Sequence, residues 1–296
     1  MGKPDPVTVG ICAYNEAANI EKAVRSVYDQ VLEGFEITET IVVSSESTDG
    51  TDEIVKGLMS EYGTLRLIRQ EKREGKNSAL NCLLDNKRTE VVAILNADTI
   101  FFDGNSLQNL LEPLKDIKVG IVGGHPIPTN DKRTIAGFAS HMIWGMHHHI
   151  SLVYPKIGEI IAFREIGTRL STKNSGDEDM LRMRLEAAGY VGVYAPEAKV
   201  LNKGPETMKD FVKQRTRVNI GELAIKKEHD FDIPTWSFRM LYPALIDTVK
   251  ELGFHPIKIA ASIAMEAYSR LKAQIHMSSK KGDISIWDPV KSTKKV

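Results

Sequence analysis

The chain has 296 residues, 42% hydrophobic and 26% charged, so it can bury a sizeable core and is not a disordered tract. Lysine plus arginine and aspartate plus glutamate balance at 39 each, which removes the global positive charge of a nucleic-acid binder; no nucleic-acid partner is expected. Cys12 and Cys82 stand far apart without C-x-x-C spacing, arguing against a disulfide framework and for a reducing compartment. The start, MGKPDPVTVG, lacks the build of a signal peptide, and no run of about 18 apolar residues suggests a membrane span. The expected location is the cytoplasm, with peripheral contact on the inner face of the membrane left open.

Residues 7–13, 40–44, 65–69 and 91–95 are rich in β-branched side chains and read as buried strands. Between them, 16–31, 51–62 and 76–86 carry apolar residues at helical spacing. This alternation predicts an α/β fold: a Rossmann-related, mostly parallel sheet flanked by helices, with strand ends and following loops gathered on one ligand-binding edge. From 119 the pattern changes. KVGIVGGHPIP predicts a strand, 132–153 a helix, IGEIIAFRE a strand, MLRMRLEAAG a helix, YVGVYAPEAKV a strand and 206–229 a basic helix. The sequence is divided into a catalytic domain over 1–230 and a helical appendage with a basic tail over 231–296.

The end of the 91–95 strand reads ILNADT. Asn96 and Asp98 are two apart and project to one side of an extended chain, where a carboxylate and an amide oxygen suit a hard divalent cation, Mg²⁺ or Mn²⁺. ICAYNEAANI puts Tyr14, Asn15 and Glu16 at the end of the first strand, a ring and two polar groups suited to a base and ribose. TIVVSSESTDGTDEIV places Asp49 near a helix start, and REGKNSALN puts Lys76 at another, where backbone N–H groups and an ammonium favour phosphate. The P-loop and the G-x-G-x-x-G fingerprint are both absent.

Taken in order, AYNE, IVVSSESTDGT, REGKNSALN, LNADT, GDED and QRTRV resemble the family-two inverting glycosyltransferases of GT-A fold, over roughly residues 7–220. The resemblance implies transfer of a sugar from a nucleotide-diphosphate donor, with inversion, to an acceptor hydroxyl or a lipid phosphate. It assigns the metal and donor diphosphate to Asp98, with Asn96 in the first acidic position. The family's double aspartate falls on Ser44 and Ser45, which places Ser45 on the donor side. Lys76 matches the donor-contacting lysine. The E-D motif falls on Glu178 and Asp179, making Asp179 the general base. In QRTRV, Gln214 and Arg217 match Q-x-x-R-W but Val218 replaces the tryptophan, implying a non-processive enzyme. Arg217 is a diphosphate or acceptor contact, and Gln214 lies on the acceptor side.

Three successive histidines, His147, His148 and His149, point about 100° apart on a helix and cannot share one metal. His148, one face with Trp144 and His141, is assigned an acceptor-lining or structural role. The last long helix pattern, HPIKIAASIAMEAYSRLKAQI, is apolar on one side and flanked by lysine and arginine. It fits an anionic membrane surface and a lipid-linked acceptor, or else packing on the catalytic domain or in a homodimer. A glycan acceptor stays open beside a lipid-linked one. Alternative functions are a catalytically inactive sugar- or lipid-binding scaffold and a sugar-nucleotide pyrophosphorylase, which would need a Gly-rich basic loop that AYNEAANI lacks.

Overall fold

The computed structural model describes residues 3–172, 177–229, 233–279 and 293. Eight strands form one sheet among these residues: β1 (Asp5–Ala13), β2 (Phe35–Ser45), β3 (Leu65–Gln70), β4 (Val91–Asn96), β5 (Thr99–Phe101), β6 (Val119–Pro128), β7 (Ile160–Arg164) and β8 (Val191–Asn202), in the order β3-β2-β1-β4-β7-β6-β8-β5. β1 pairs in parallel with β2 and β4, β2 with β3, and β6 with β8. β7 runs antiparallel to both its neighbours, and β5 antiparallel to β8.

The period-two pleat of β1 explains the layering. Val7, Val9, Ile11 and Ala13 face one core with α1 (Ile20–Tyr28), α2 (Thr51–Met59) and α4 (Ser106–Leu111). On the opposite face, Ile41 and Val43 of β2 meet Leu80 and Leu83 of α3 (Lys76–Asn86) and Leu181 and Leu185 of α6 (Asp177–Ala187). Helices on both faces give a mixed α/β fold with a helical C-terminal region. The short β5 and α4 lack any pattern that sequence reading had picked out. β2 begins at Phe35 rather than 40, because its polar opening residues are drawn into pairing with β1.

The C-terminal part is helical. α5 (Ile135–Val153) is capped by the Thr134 hydroxyl, which accepts from Gly137 N–H at 3.0 Å. α7 (Met208–His229), α8 (Phe238–Leu252) and α9 (Pro256–Ser278) follow. α8 packs on α5, and α9 packs on both α5 and α7. The α5–α8 approach depends on Gly145, where a Cβ would stand 2.6 Å from Thr248 Cγ2. Among the described residues, no helix is long and apolar enough to cross a membrane. Both cysteines are free thiols, and Lys280, Lys281, Lys291, Lys294 and Lys295 of the basic tail lie outside the described residues.

Candidate active site

Strand direction gathers the site. The parallel strands β1, β2 and β4 end at one edge, delivering Tyr14, Ser45, Asn96 and Asp98. β7 runs the other way, so its beginning reaches the same edge. The β4–β7 register pairs Leu95 with Ile160 and sets Glu159 beside Asn96. Tyr14, Ser45, Asn96, Asp98 and Glu159 line a cavity of about 810 Å³ that continues between the C-terminal helices. Thr293, near the end of the chain, lines it too.

Eleven of the fourteen residues singled out from sequence line this cavity: Tyr14, Glu16, Ser45, Lys76, Asn96, Asp98, Trp144, Glu178, Asp179, Gln214 and Arg217. Asn15, Asp49 and His148 do not, and each has structural work instead. Asn15 stands at φ 53° and its Oδ1 accepts from Thr48 N–H at 2.8 Å. Asp49 accepts from the N–H groups of Ala17 and Thr51, tying the loop after β1 to the start of α2. Burial would lift its carboxyl, but the Thr51 hydroxyl and these N–H groups hold it below the usual range. His148 bonds Tyr194 Oη at 2.8 Å and stacks on His125 at 4.1 Å. The three neighbouring rings diverge as helical geometry requires: His147 lines the cavity, His148 meets Tyr194, and His149 meets Glu251 at 3.2 Å.

On the nucleotide side, the Arg73 guanidinium lies 3.9 Å from the centre of the Tyr14 ring, both on the cavity wall. Ser45 Oγ donates to Gln70 at 2.7 Å, and Ser44 Oγ donates to the buried carboxylate of Asp52. The serines are thus held inward, and Asp52, 2% exposed, supplies an acidic group behind them. Glu16 is likewise structural in part: its backbone N–H donates to Thr51 Oγ1 at 2.8 Å and its carboxylate accepts from Asn19 at 3.2 Å. Gly75, at φ +91°, turns the chain into α3 and places Lys76 at the helix's first position. Lys76 Nζ donates to Glu178 at 2.8 Å, joining the starts of α3 and α6.

The cavity's carboxylates fall into two sets. Glu222 is bonded by Lys156 at 2.6 Å and Trp236 Nε1 at 2.9 Å. Glu266 is gripped by Arg215 and Arg270, and although burial opposes ionisation, Arg215 brings its carboxyl down to about 2. Both are compensated anions. Asp179 is different: it makes no hydrogen bond to any described residue, and burial raises its carboxyl to about 6 despite Lys156 nearby. Its place at the start of α6 favours the anion, so burial outweighs the helix dipole here. Glu159 is also raised, first by burial and then by the Asp98 carboxylate, against a 2.6 Å bond from Asn96 Nδ2.

Asp98 and Glu159 therefore bring two carboxylates into one corner. Among the described residues, no group of three His, Cys, Asp or Glu can hold a metal ion unaided. Carboxylate oxygens of this kind fit a hard divalent cation, whose remaining ligands come from substrate phosphate and water. Glu159, Arg73 and Glu222 escaped sequence reading. For Glu159 the local signal is its place immediately ahead of a strand; its φ of 44°, uncommon outside glycine, is visible in the backbone alone.

The family model for Glycosyl transferase family 2 matches residues 8–181, more than half the chain. The chain belongs to glycosyl transferase family 2. Similar relatives include the glycosyltransferase AglE of Haloferax volcanii, 32% identical over 92 residues, 31% of this chain and 30% of AglE. The poly-beta-1,6-N-acetyl-D-glucosamine synthase of Staphylococcus aureus is 27% identical over 227 residues, 71% of this chain and 53% of the synthase. The family 2 chain thus spans about half the length of that synthase. Among solved structures, the mannosyltransferase PcManGT of Pyrobaculum calidifontis, in complex with GDP-Man and Mn²⁺, superposes with a TM-score of 0.64 at 22% identity, covering 94% of this chain and 90% of that one. Glucosyl-3-phosphoglycerate synthase of Mycobacterium tuberculosis, with Mn²⁺ and UDP, gives 0.50 at 17% identity, covering 74% and 79%. The fold shared with these proteins is GT-A.

Proposed function

We propose that this family 2 chain is a metal-dependent, inverting, non-processive glycosyltransferase that carries a sugar, most simply a hexose, from a nucleoside diphosphate to an acceptor hydroxyl. The observation that carries this reading is the pairing, in one cavity, of a carboxylate left without hydrogen-bond compensation, Asp179, with the metal-suited corner of Asp98. Family membership and the Mn²⁺ and nucleotide ligands held by the superposed proteins support it.

Tyr14 and Arg73 form a stacking platform for the base. Lys76, shared with Glu178, and Arg217 face the diphosphate; Arg217 makes no ion pair among the described residues. Asp98, supported by Asn96 and Glu159, would hold the cation, which supplies charge neutralisation to the departing diphosphate. Asp179 takes the proton of the acceptor hydroxyl as its oxygen attacks the anomeric carbon opposite the diphosphate. The new C–O bond forms as the old one breaks, and the diphosphate leaves with the electron pair. A carboxyl raised to about 6 is a stronger base than an ordinary aspartate, yet still ionised at neutral pH. A base so placed favours a hydroxyl acceptor over a phosphate, which carries its own anionic oxygen. Gln214 and Trp144 stand on the acceptor side.

The test is a thermal-shift screen of UDP-, GDP- and dTDP-sugars with and without Mn²⁺ or Mg²⁺. At least one donor should raise Tm of the wild type in a metal-dependent way, and Asp98→Ala should lose that metal dependence. Equal shifts with and without metal in both proteins would refute the assignment. Tight, metal-dependent binding with no nucleotide release from any donor would identify a scaffold that has lost turnover.

A further inference from the structure

The cavity changes character along its length. Its inner end holds Asp179, the Lys156–Glu222 pair and the Arg215–Glu266 pair. Its outer end runs between α8 and α9, which both pack on α5 yet do not close tightly on each other among the described residues. One wall is the α8 face formed by Phe238, Leu241, Tyr242 and Leu245, spaced to fall on one side of a helix; Ile263 of α9 stands opposite. Side chains of this type ordinarily seal a helix pair, but here Phe238 is 77%, Tyr242 55% and Ile263 44% exposed. The apolar gap is continuous with the catalytic end and opens through two stacked aromatic rings at its rim.

Resting on the transferase reading above, we infer that the acceptor is a membrane lipid bearing a hydroxyl, its head at Asp179 and its hydrocarbon tail in the gap between α8 and α9. The assignment follows from the order of the lining. A donor nucleotide is polar throughout and is matched by Tyr14, Arg73, Lys76 and Asp98 at the sheet edge. A glycan would likewise leave the apolar walls uncovered. An amphiphile alone matches both ends, charged and hydrogen-bonding near the base, apolar beyond it. Phe238 and Tyr242, wide rings at the rim, suit the boundary between a bilayer and water.

The test measures binding of n-alkyl glucosides from methyl to dodecyl, each below its micelle concentration, by quenching or enhancement of tryptophan fluorescence; Trp144 lines the cavity. Affinity should rise about three- to fourfold per methylene over several carbons. Leu241→Asp should flatten that rise while leaving nucleotide-sugar thermal shifts unchanged. Ile263→Asp, at a more exposed position that tolerates a polar side chain, should do the same if Leu241→Asp fails to fold. Affinity independent of chain length overturns the inference. So does a rise that survives both substitutions, which would mark adsorption elsewhere on the surface. If the chain-length effect holds but no nucleotide sugar binds, the transferase reading fails while the apolar site stands.

Discussion

The two ends of the parallel strands treat carboxylates in opposite ways. At one end Glu39, 2% exposed, receives the Thr8 hydroxyl at 2.8 Å, the Arg88 N–H at 2.6 Å and the Arg66 guanidinium at 2.7 Å. At the other, Asp179 is half-buried on the cavity wall with no hydrogen bond from a described residue, and Glu159, though it accepts from Asn96, faces Asp98. A satisfied carboxylate contributes to stability and is chemically quiet. An unsatisfied one costs stability and keeps its basicity and ligand capacity for something not yet bound. The contrast separates a structural acid from a chemical one without reference to any relative.

Three experiments can break or sharpen that contrast. The largest effect belongs to Asp179→Asn, which should lower transfer by about a thousandfold, within the range for loss of a general base. Nucleotide-sugar binding should be retained; full turnover would remove the base assignment. Next, Glu39→Gln should cost about 2 kcal/mol of stability in a denaturant melt, since one buried acceptor becomes a mismatched amide. The turnover of its folded fraction should not change, and a stability equal to wild type would erase the contrast at the structural end.

The smallest effect is the most diagnostic. Asp179 has a folded pKa of about 6 against an ordinary 3.8, so the folded state holds this proton more tightly than the unfolded chain. Its favourable contribution is complete below about pH 4 and is lost as pH rises through about 6. Thermal melts should therefore find Asp179→Asn more stable than wild type at pH 7.5, with the difference vanishing near pH 4. In the wild type, kcat/KM should climb with pH to a plateau above about 6. An acid limb near 4 and no stabilisation of the variant would show that Asp179 is solvated.

Much of this architecture was legible in the sequence. β-Branched runs located β1, β3 and β4 to within a residue or two, and helical spacing located α3 from Lys76 to Asn86. Asp98, Lys76, Glu178 and Asp179 were each legible because they sit next to strand or helix ends, where local pattern and placement coincide. Local pattern could not say what burial does. At Asp179, loss of water around the carboxyl raises it more than the neighbouring charge of Glu178 does. Nor could it separate a residue facing the cavity from one behind it. Asp49 and Asn15 carry the right chemistry, but loop-to-loop hydrogen bonds claim them. His148 and His147 differ by one position, a rotation of about 100° that decides which ring meets the cavity. The gap between α8 and α9 is a matter of tertiary packing, and no helical periodicity reports it.

The reversed direction of β7 has one more consequence, for how such a site can change over generations. Residues that follow the parallel strands sit in loops, where insertions and deletions are absorbed without disturbing the sheet. Glu159 instead enters ahead of a strand whose pairing with β4 is fixed residue by residue, from Leu95 opposite Ile160 to Val91 opposite Arg164. A slip of one residue would send Glu159 to the other face and turn the buried side chains of β7 outward with it. This corner of the site can vary by substitution but not by length, so it is inherited together with the register of the sheet.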